Sequence, residues 1–208
     1  MPTTSWRVST DVRTGTSAVK WVVGGTASSI TDGVSGSGDG KFDQVSIVIG
    51  TGAASITDNL FCIGFGFSNE VPANATITAV RLRFTRNASN NNGLIGFAVD
   101  GSVRMVIGGG GGSVAREDTT THWPTVSAAK TYADWSGSDL TTDSVDASAV
   151  RSAAFGCYMT AHFNEGSSTG STLSVLADMV EMQVDYTVPS TGDGNLHYPQ
   201  SDLGFRAA

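Results

Sequence analysis

Apolar and polar positions alternate with a period of two through much of the chain between residues 44 and 188. That period puts successive side chains on opposite faces of a strand, so each such run predicts a strand with one face in a core. Thr76–Arg86 is the clearest run: Val80, Leu82 and Phe84 point inward, while Arg81 and Arg83 lie on a solvated outer face. Gln44–Ile49 repeats the pattern through Val45, Ile47 and Ile49, and Ala154–Asn164 through Phe155, Cys157, Met159, Ala161 and Phe163. Leu173–Val188 supplies a last strand, with Val180, Met182, Val184 and Tyr186 on the core face and Glu181, Gln183 and Asp185 on the wet one. Leu60–Phe67 is largely apolar and interrupted by Gly64 and Gly66, which predicts a core strand with a bend. Val19–Val23 and Lys130–Trp135 are shorter strand candidates.

The segments between these runs carry turn chemistry. Leu94–Val99 and Ser102–Ile107 predict a hairpin about Asp100-Gly101, a dipeptide that tolerates the positive φ of tight turns. Asn87–Asn92 reads as a polar turn. Gly108–Gly112 has no side chain to pack and reads as a mobile loop, and the glycine-rich stretch Thr31–Gly40 reads as another. Thr142–Ser152 carries Val145, Ala149 and Val150 at helical spacing, which predicts one short helix with Ser144 as a candidate N-cap. The chain divides into an N-terminal extension with one short strand (1–40), a β-sandwich domain (41–188) and a C-terminal arm (189–208). Leu196, Tyr198, Leu203 and Phe205 sit in that last stretch. A solvated tail and an arm that docks on a neighbour both fit it, and four large apolar groups favour the arm, with these residues as its partner-binding contacts.

Composition narrows the partners. Glycine, serine and threonine number 26, 25 and 24 of 208 residues, against 3 lysines and 4 glutamates, which excludes a helical bundle. The formal net charge is −7, with no basic stripe, so nucleic acid is excluded as a partner. No apolar stretch reaches the ~20 residues of a membrane span. The first residues lack the basic start and apolar block of a signal peptide, so the chain reads as made in a cytoplasm and not exported by that route. Cys62 and Cys157 lie within apolar segments and read as small buried hydrophobes rather than as a disulfide.

The chemistry of the sequence is thin. His122, His162 and His197 share no ligand spacing, and no nucleophile elbow, phosphate loop or His-Glu-x-x-His is present. Two aspartate groups could face calcium, Asp32, Asp39 and Asp43 or Asp139, Asp143 and Asp146, but neither has EF-hand spacing. Asp139 and Asp146 read instead as caps of a turn and a helix. Glu70, Glu117, Glu165 and Glu181 offer no catalytic pair. No cofactor is implied, and the chain reads as a protein that is not an enzyme. Trp21, Trp123, Trp135 and Tyr132 are candidates for stacking on a sugar ring, weighed against rings that cover an edge of the sandwich.

Residues 71–188 also carry a resemblance. Val71-Pro-Ala-Asn-Ala-Thr-Ile-Thr-Ala-Val80, Tyr132-Ala-Asp-Trp-Ser-Gly-Ser-Asp139-Leu140, Ser144-Val-Asp-Ala147, Phe155-Gly-Cys-Tyr158 and the closing Ala177–Thr187 strand follow one another in a fixed order. This order resembles a β-sandwich module common in bacteriophage structural proteins, departing from it where Thr141 and Thr142 replace a second tryptophan. The resemblance implies an all-β fold, an antiparallel, jelly-roll-like β-sandwich with one short helix and extended terminal arms. It implies a virion protein, in the head decoration, tail or fibre class, and the expectation drawn from it is a head decoration (cement) protein, assembled in the host cytoplasm, that binds the major capsid protein and itself, as a dimer or trimer. The alternative is a tail, neck or fibre component that contacts host glycans.

Overall fold

The computed structural model describes residues 1–14, 19–25, 29, 33, 39, 41–48, 50, 56–89, 95–167 and 169–189. The arm residues Leu196, Tyr198, Leu203 and Phe205, and all of 31–40 except Gly33 and Asp39, lie outside them.

Two antiparallel sheets face one another. The first is built on β3 (Val22–Gly25), β4 (Lys41–Val48), β12 (Thr172–Thr187) and β6 (Thr76–Ser89), in the spatial order β3-β4-β12-β6. Three short strands complete it: β1 (Arg7–Val8) on β12, and β9 (Ala128–Thr131) and β10 (Trp135–Ser136) on β6. The second sheet runs β2 (Asp11–Thr14), β5 (Leu60–Ile63), β11 (Gly156–Glu165), β7 (Gly96–Ile107) and β8 (Gly110–Ala115). From β4 to β7 every connection crosses from one sheet to the other, which gives the sandwich its jelly-roll-like winding.

The predicted inward residues meet between the sheets. Val80, Leu82 and Phe84 of β6 and Val180, Met182 and Val184 of β12 are almost wholly buried, as are Val103, Met105, Cys157, Met159 and Phe163 of the second sheet. Removing each of these side chains from water contributes about 1.5–3 kcal/mol, which is why alternation dictates which face turns inward.

Four local expectations change. No hairpin forms at Asp100-Gly101, because β7 runs through it without a break. Asp100 is buried there, and a Cβ on Gly101 would lie 2.6 Å from the Thr160 hydroxyl, so this glycine serves close strand approach at the β11 bulge. The turn lies further on. Gly108 and Gly109, with φ of 58° and 85°, make a two-residue connection from β7 to β8, so Gly110–Gly112 pair as a strand instead of forming a loop. β6 extends through Asn87–Ser89, where a turn is expected. The expected single helix is two, α1 (Ser138–Thr142) and α2 (Ala147–Arg151), separated by Ser144 at φ 55°; Asp146 caps α2 by accepting from the Ala149 amide at 2.7 Å.

The N-terminal residues form two strands that belong to the sandwich. Thr4 donates its amide to Val184 and accepts the Val184 amide on its hydroxyl, both at 2.9 Å. β1 then pairs with Met182 and Glu181, Ser9 donates to the Ile63 carbonyl at 2.7 Å, and β2 pairs along β5. Residues 2–14 therefore tie one sheet to the other. Removing residues 1–9 strips the backbone partner from the edge of β12 at Glu181–Asp185, and the melting temperature is expected to fall by roughly 5 °C or more. An unchanged melting temperature in a thermal scan would show that this segment contributes nothing to the fold.

Candidate functional site

The inward side chains of the sandwich include a cluster of charges. Arg86 continues the inward series of β6, and its side chain is 2% exposed. Its guanidinium meets the carboxylate of Asp100 on β7, which is 0% exposed, so an ion pair spans the two sheets inside the core. Trp123 donates its indole N–H to the same carboxylate at 2.9 Å, and the Asp118 amide donates to it at 3.0 Å. Arg86 also donates to the Tyr132 hydroxyl at 3.0 Å, and its guanidinium carbon lies 4.8 Å from the centre of the Trp123 ring. Burial pulls the guanidinium down from its usual value, opposed by Tyr132 and Asp118, and burial pushes the Tyr132 hydroxyl up. Arginine stays protonated under such a shift. Lys130 and the hydroxyl and amide donors of Thr121 and Thr120 hold the Asp118 carboxyl well below the usual range.

A second set of charges lies on the outer face of the first sheet. Arg81 binds Asp185 at 2.7 Å and Asp134 at 3.0 Å, and Arg83 binds Glu181 at 2.6 Å. The Trp6 ring covers Arg83 at 4.7 Å. Glu181 and Asp185 are buried at 8% and 6% exposure, because the N-terminal residues and the arginines cover the face that alternation alone makes wet.

The sugar-stacking candidates are not available for stacking. Trp21, Trp123, Trp135 and Tyr132 are all buried, at 3% exposure or less. Trp21 and Trp135 donate their indole N–H groups to the Asp58 and Val114 carbonyls, at 2.9 and 3.0 Å. Phe61 is half-buried and lines a cavity of about 480 Å³ with Asp11 and Arg13, and the half-buried Tyr158 ring packs 5.5 Å from it.

The acidic candidates are dispersed. Asp139 binds Arg116, Asp143 accepts from the Ser113 amide at 2.7 Å, and Asp146 caps α2. Asp39 accepts from the Lys41 amide at 2.9 Å, Asp43 lies in the core and Asp32 lies outside the described residues. Glu70 pairs with Arg7, Glu117 accepts from the Val103 amide at 3.4 Å and Glu165 from the Gly50 amide at 3.3 Å. His122 stacks on Phe97, His162 lies on β11 and His197 lies outside the described residues. Among the described residues no group of three or more His, Cys, Asp or Glu side chains is placed to hold a metal ion.

One surface feature remains. A groove of about 650 Å³ lies between the start of β6 and the α1–α2 segment, lined by Ala75, Ile77, Leu140, Val145 and the polar Thr78 and Asp146. β10 pairs with β6 only at Ala79 and Val80, so among the described residues no strand flanks Thr76–Thr78 on that side. On its other side Thr76 pairs with Thr187, the last residue of β12. The C-terminal arm therefore begins one strand away from the groove.

No family model matches the chain, and no curated protein matches it.

Two predictions concern the buried charges. Asp100→Asn leaves Arg86 charged and uncompensated in the core, and is expected to cost about 3–5 kcal/mol by chemical denaturation. Adding Arg86→Met to it is expected to recover part of that loss; single and double variants of equal stability to the parent would show that the pair carries no weight. Among the described residues Asp43 has no hydrogen-bond partner on either oxygen, and burial pushes its carboxyl up to about 8. The unfolded carboxyl titrates near pH ~4, so the native state holds the extra proton from there to about pH 8. Stability is therefore expected to fall as pH rises through that window, and Asp43→Asn to flatten the curve in urea titrations at each pH. An identical slope in the variant would contradict this.

Proposed function

We propose that the chain is a structural protein of a bacteriophage virion, a head decoration protein that binds across capsid subunits and stabilises the shell. The observation that carries this reading is the exit of the chain from β12 at Thr187, one strand from an apolar groove and an open stretch of β6 edge. The nineteen residues after Pro189 hold Leu196, Tyr198, Leu203 and Phe205, a set suited to burial against a neighbour. The sandwich supplies a rigid body, and many of its charged side chains, among them Arg81, Arg83, Arg86 and Arg116, pair with acidic groups within it. The arm supplies the adhesive contact, either with the major capsid protein or with a second copy of this chain in a dimer or trimer.

Strand edges accept extended segments because main-chain hydrogen bonds give affinity whatever the sequence. A segment that binds only assembled subunits stabilises the assembly by mass action, and the symmetry of a shell repeats the contact many times. The second reading, a tail or fibre protein touching host glycans, rests on the half-buried Phe61 ring in the cavity with Asp11 and Arg13, and on the Tyr158 ring packed against it.

The test is truncation after Pro189. The shortened protein is expected to fold with an unchanged melting temperature and to lose binding to phage heads stripped of decoration. Undiminished head binding would overturn the cement reading. No head binding by either form, with a glycan-array signal that Phe61→Ala removes, would favour the receptor reading.

A further inference from the structure

Two buried thiols sit side by side in the second sheet. Cys62 on β5 and Cys157 on β11 are both free, at 1% and 2% exposure. They are direct partners in the β5–β11 register. Register partners of an antiparallel pair have Cα atoms about 4.5–5.5 Å apart and side chains on one face. A disulfide bridges Cα separations of roughly 4.4–6.8 Å, so the backbone already stands where the bond needs it.

We propose that Cys62 and Cys157 are a latent cross-strand disulfide, a dithiol that on oxidation ties β5 covalently to β11. With oxidised glutathione as the oxidant, the thiolate of one cysteine attacks the glutathione disulfide and releases one glutathione. The second cysteine then attacks the mixed disulfide, the bond between Cys62 and Cys157 forms, and a second glutathione leaves. The two protons lost by the thiols end on the two glutathione molecules, and the two electrons reduce the glutathione disulfide. The neighbouring Cys157, burial and the Asp43 carboxyl together hold the Cys62 thiol well above its usual value, so the thiolate is scarce in the closed fold. Exchange therefore proceeds through local opening, and the way in is β5, a four-residue strand whose other neighbour is the four-residue β2. The bond closes a loop from residue 62 to residue 157, long enough to restrict the unfolded chain strongly. It also fixes β5, the strand on which β2 docks. This inference does not depend on the virion reading.

The experiment incubates the full chain with oxidised glutathione, with and without sub-denaturing urea, and reads intact mass, a non-reduced digest and the melting temperature. A product lighter by two hydrogen atoms is expected, with the Cys62 and Cys157 peptides linked and formation faster in urea. Its melting temperature should exceed that of the reduced protein by about 5 °C, and dithiothreitol should reverse the rise. Cys157→Ala, checked for a cooperative melt, should yield only a glutathione adduct at Cys62. Adducts without a linked pair in the parent chain, or thiols still free in urea, would overturn the proposal. A linked form that melts no higher than the reduced one would overturn the staple.

Discussion

The pairing of Arg86 with Asp100 is the constraint around which this sandwich is arranged. Taking two charges out of water costs several kcal/mol per ion, and the interior returns that only where geometry is good and the remaining hydrogen-bonding capacity is met. The surroundings meet most of that capacity, leaving Arg86 Nε without a hydrogen-bond partner among the described residues. The segment after β8 folds back so that the Asp118 amide and the Trp123 indole reach Asp100. The same segment sets Trp123 edge-on to Phe84 at 5.7 Å and hands the Pro124 carbonyl to the Ala88 amide at 2.8 Å. β9 then lies along β6 and brings Tyr132 to the guanidinium. Burial of one face fixes the register within each sheet, and the ion pair between β6 and β7 adds a fixed alignment of one sheet over the other.

The outer face of the first sheet follows a similar logic at lower cost. Arg81 and Arg83 reach across to Asp185 and Glu181 on the neighbouring strand, and the N-terminal residues lie over those carboxylates. Charges that would otherwise advertise a binding surface are thus occupied within the chain. What the sandwich leaves open is backbone and apolar surface at its rim: the start of β6 and the groove beside α1.

The period-two pattern in β6, β11 and β12 was legible because burial on one face leaves a direct mark on sequence. The two turn signals were not, because glycine is permissive for several reasons at once. Gly101 avoids a clash with Thr160 at a bulge, while Gly108 and Gly109 supply positive φ, and both uses leave the same letter in the chain. Arg86 occupies the inward parity of Val80, Leu82 and Phe84, so its burial was readable from position alone. Its residue type argued against it, since a buried arginine stands only with a partner, and Asp100 looked like a turn. The tryptophans were attractive as sugar platforms for the same reason that they are good cores: large flat rings with one donor. Nothing local distinguishes the two uses. The Cys62–Cys157 register was out of reach, because strand pairing between residues so far apart in sequence leaves no local signature.

The most direct measurement is native-state hydrogen exchange of the amides and indoles by NMR. If the Arg86–Asp100 pair joins the sheets as described, the Asp118 amide, the Trp123 amide and the Trp123 indole N–H should exchange only through global unfolding, with the slowest amides of β6 and β12. Exchange of these three groups at the rate of loop amides, with β6 and β12 still protected, would contradict the account, since the ion pair would then lie outside the stable core.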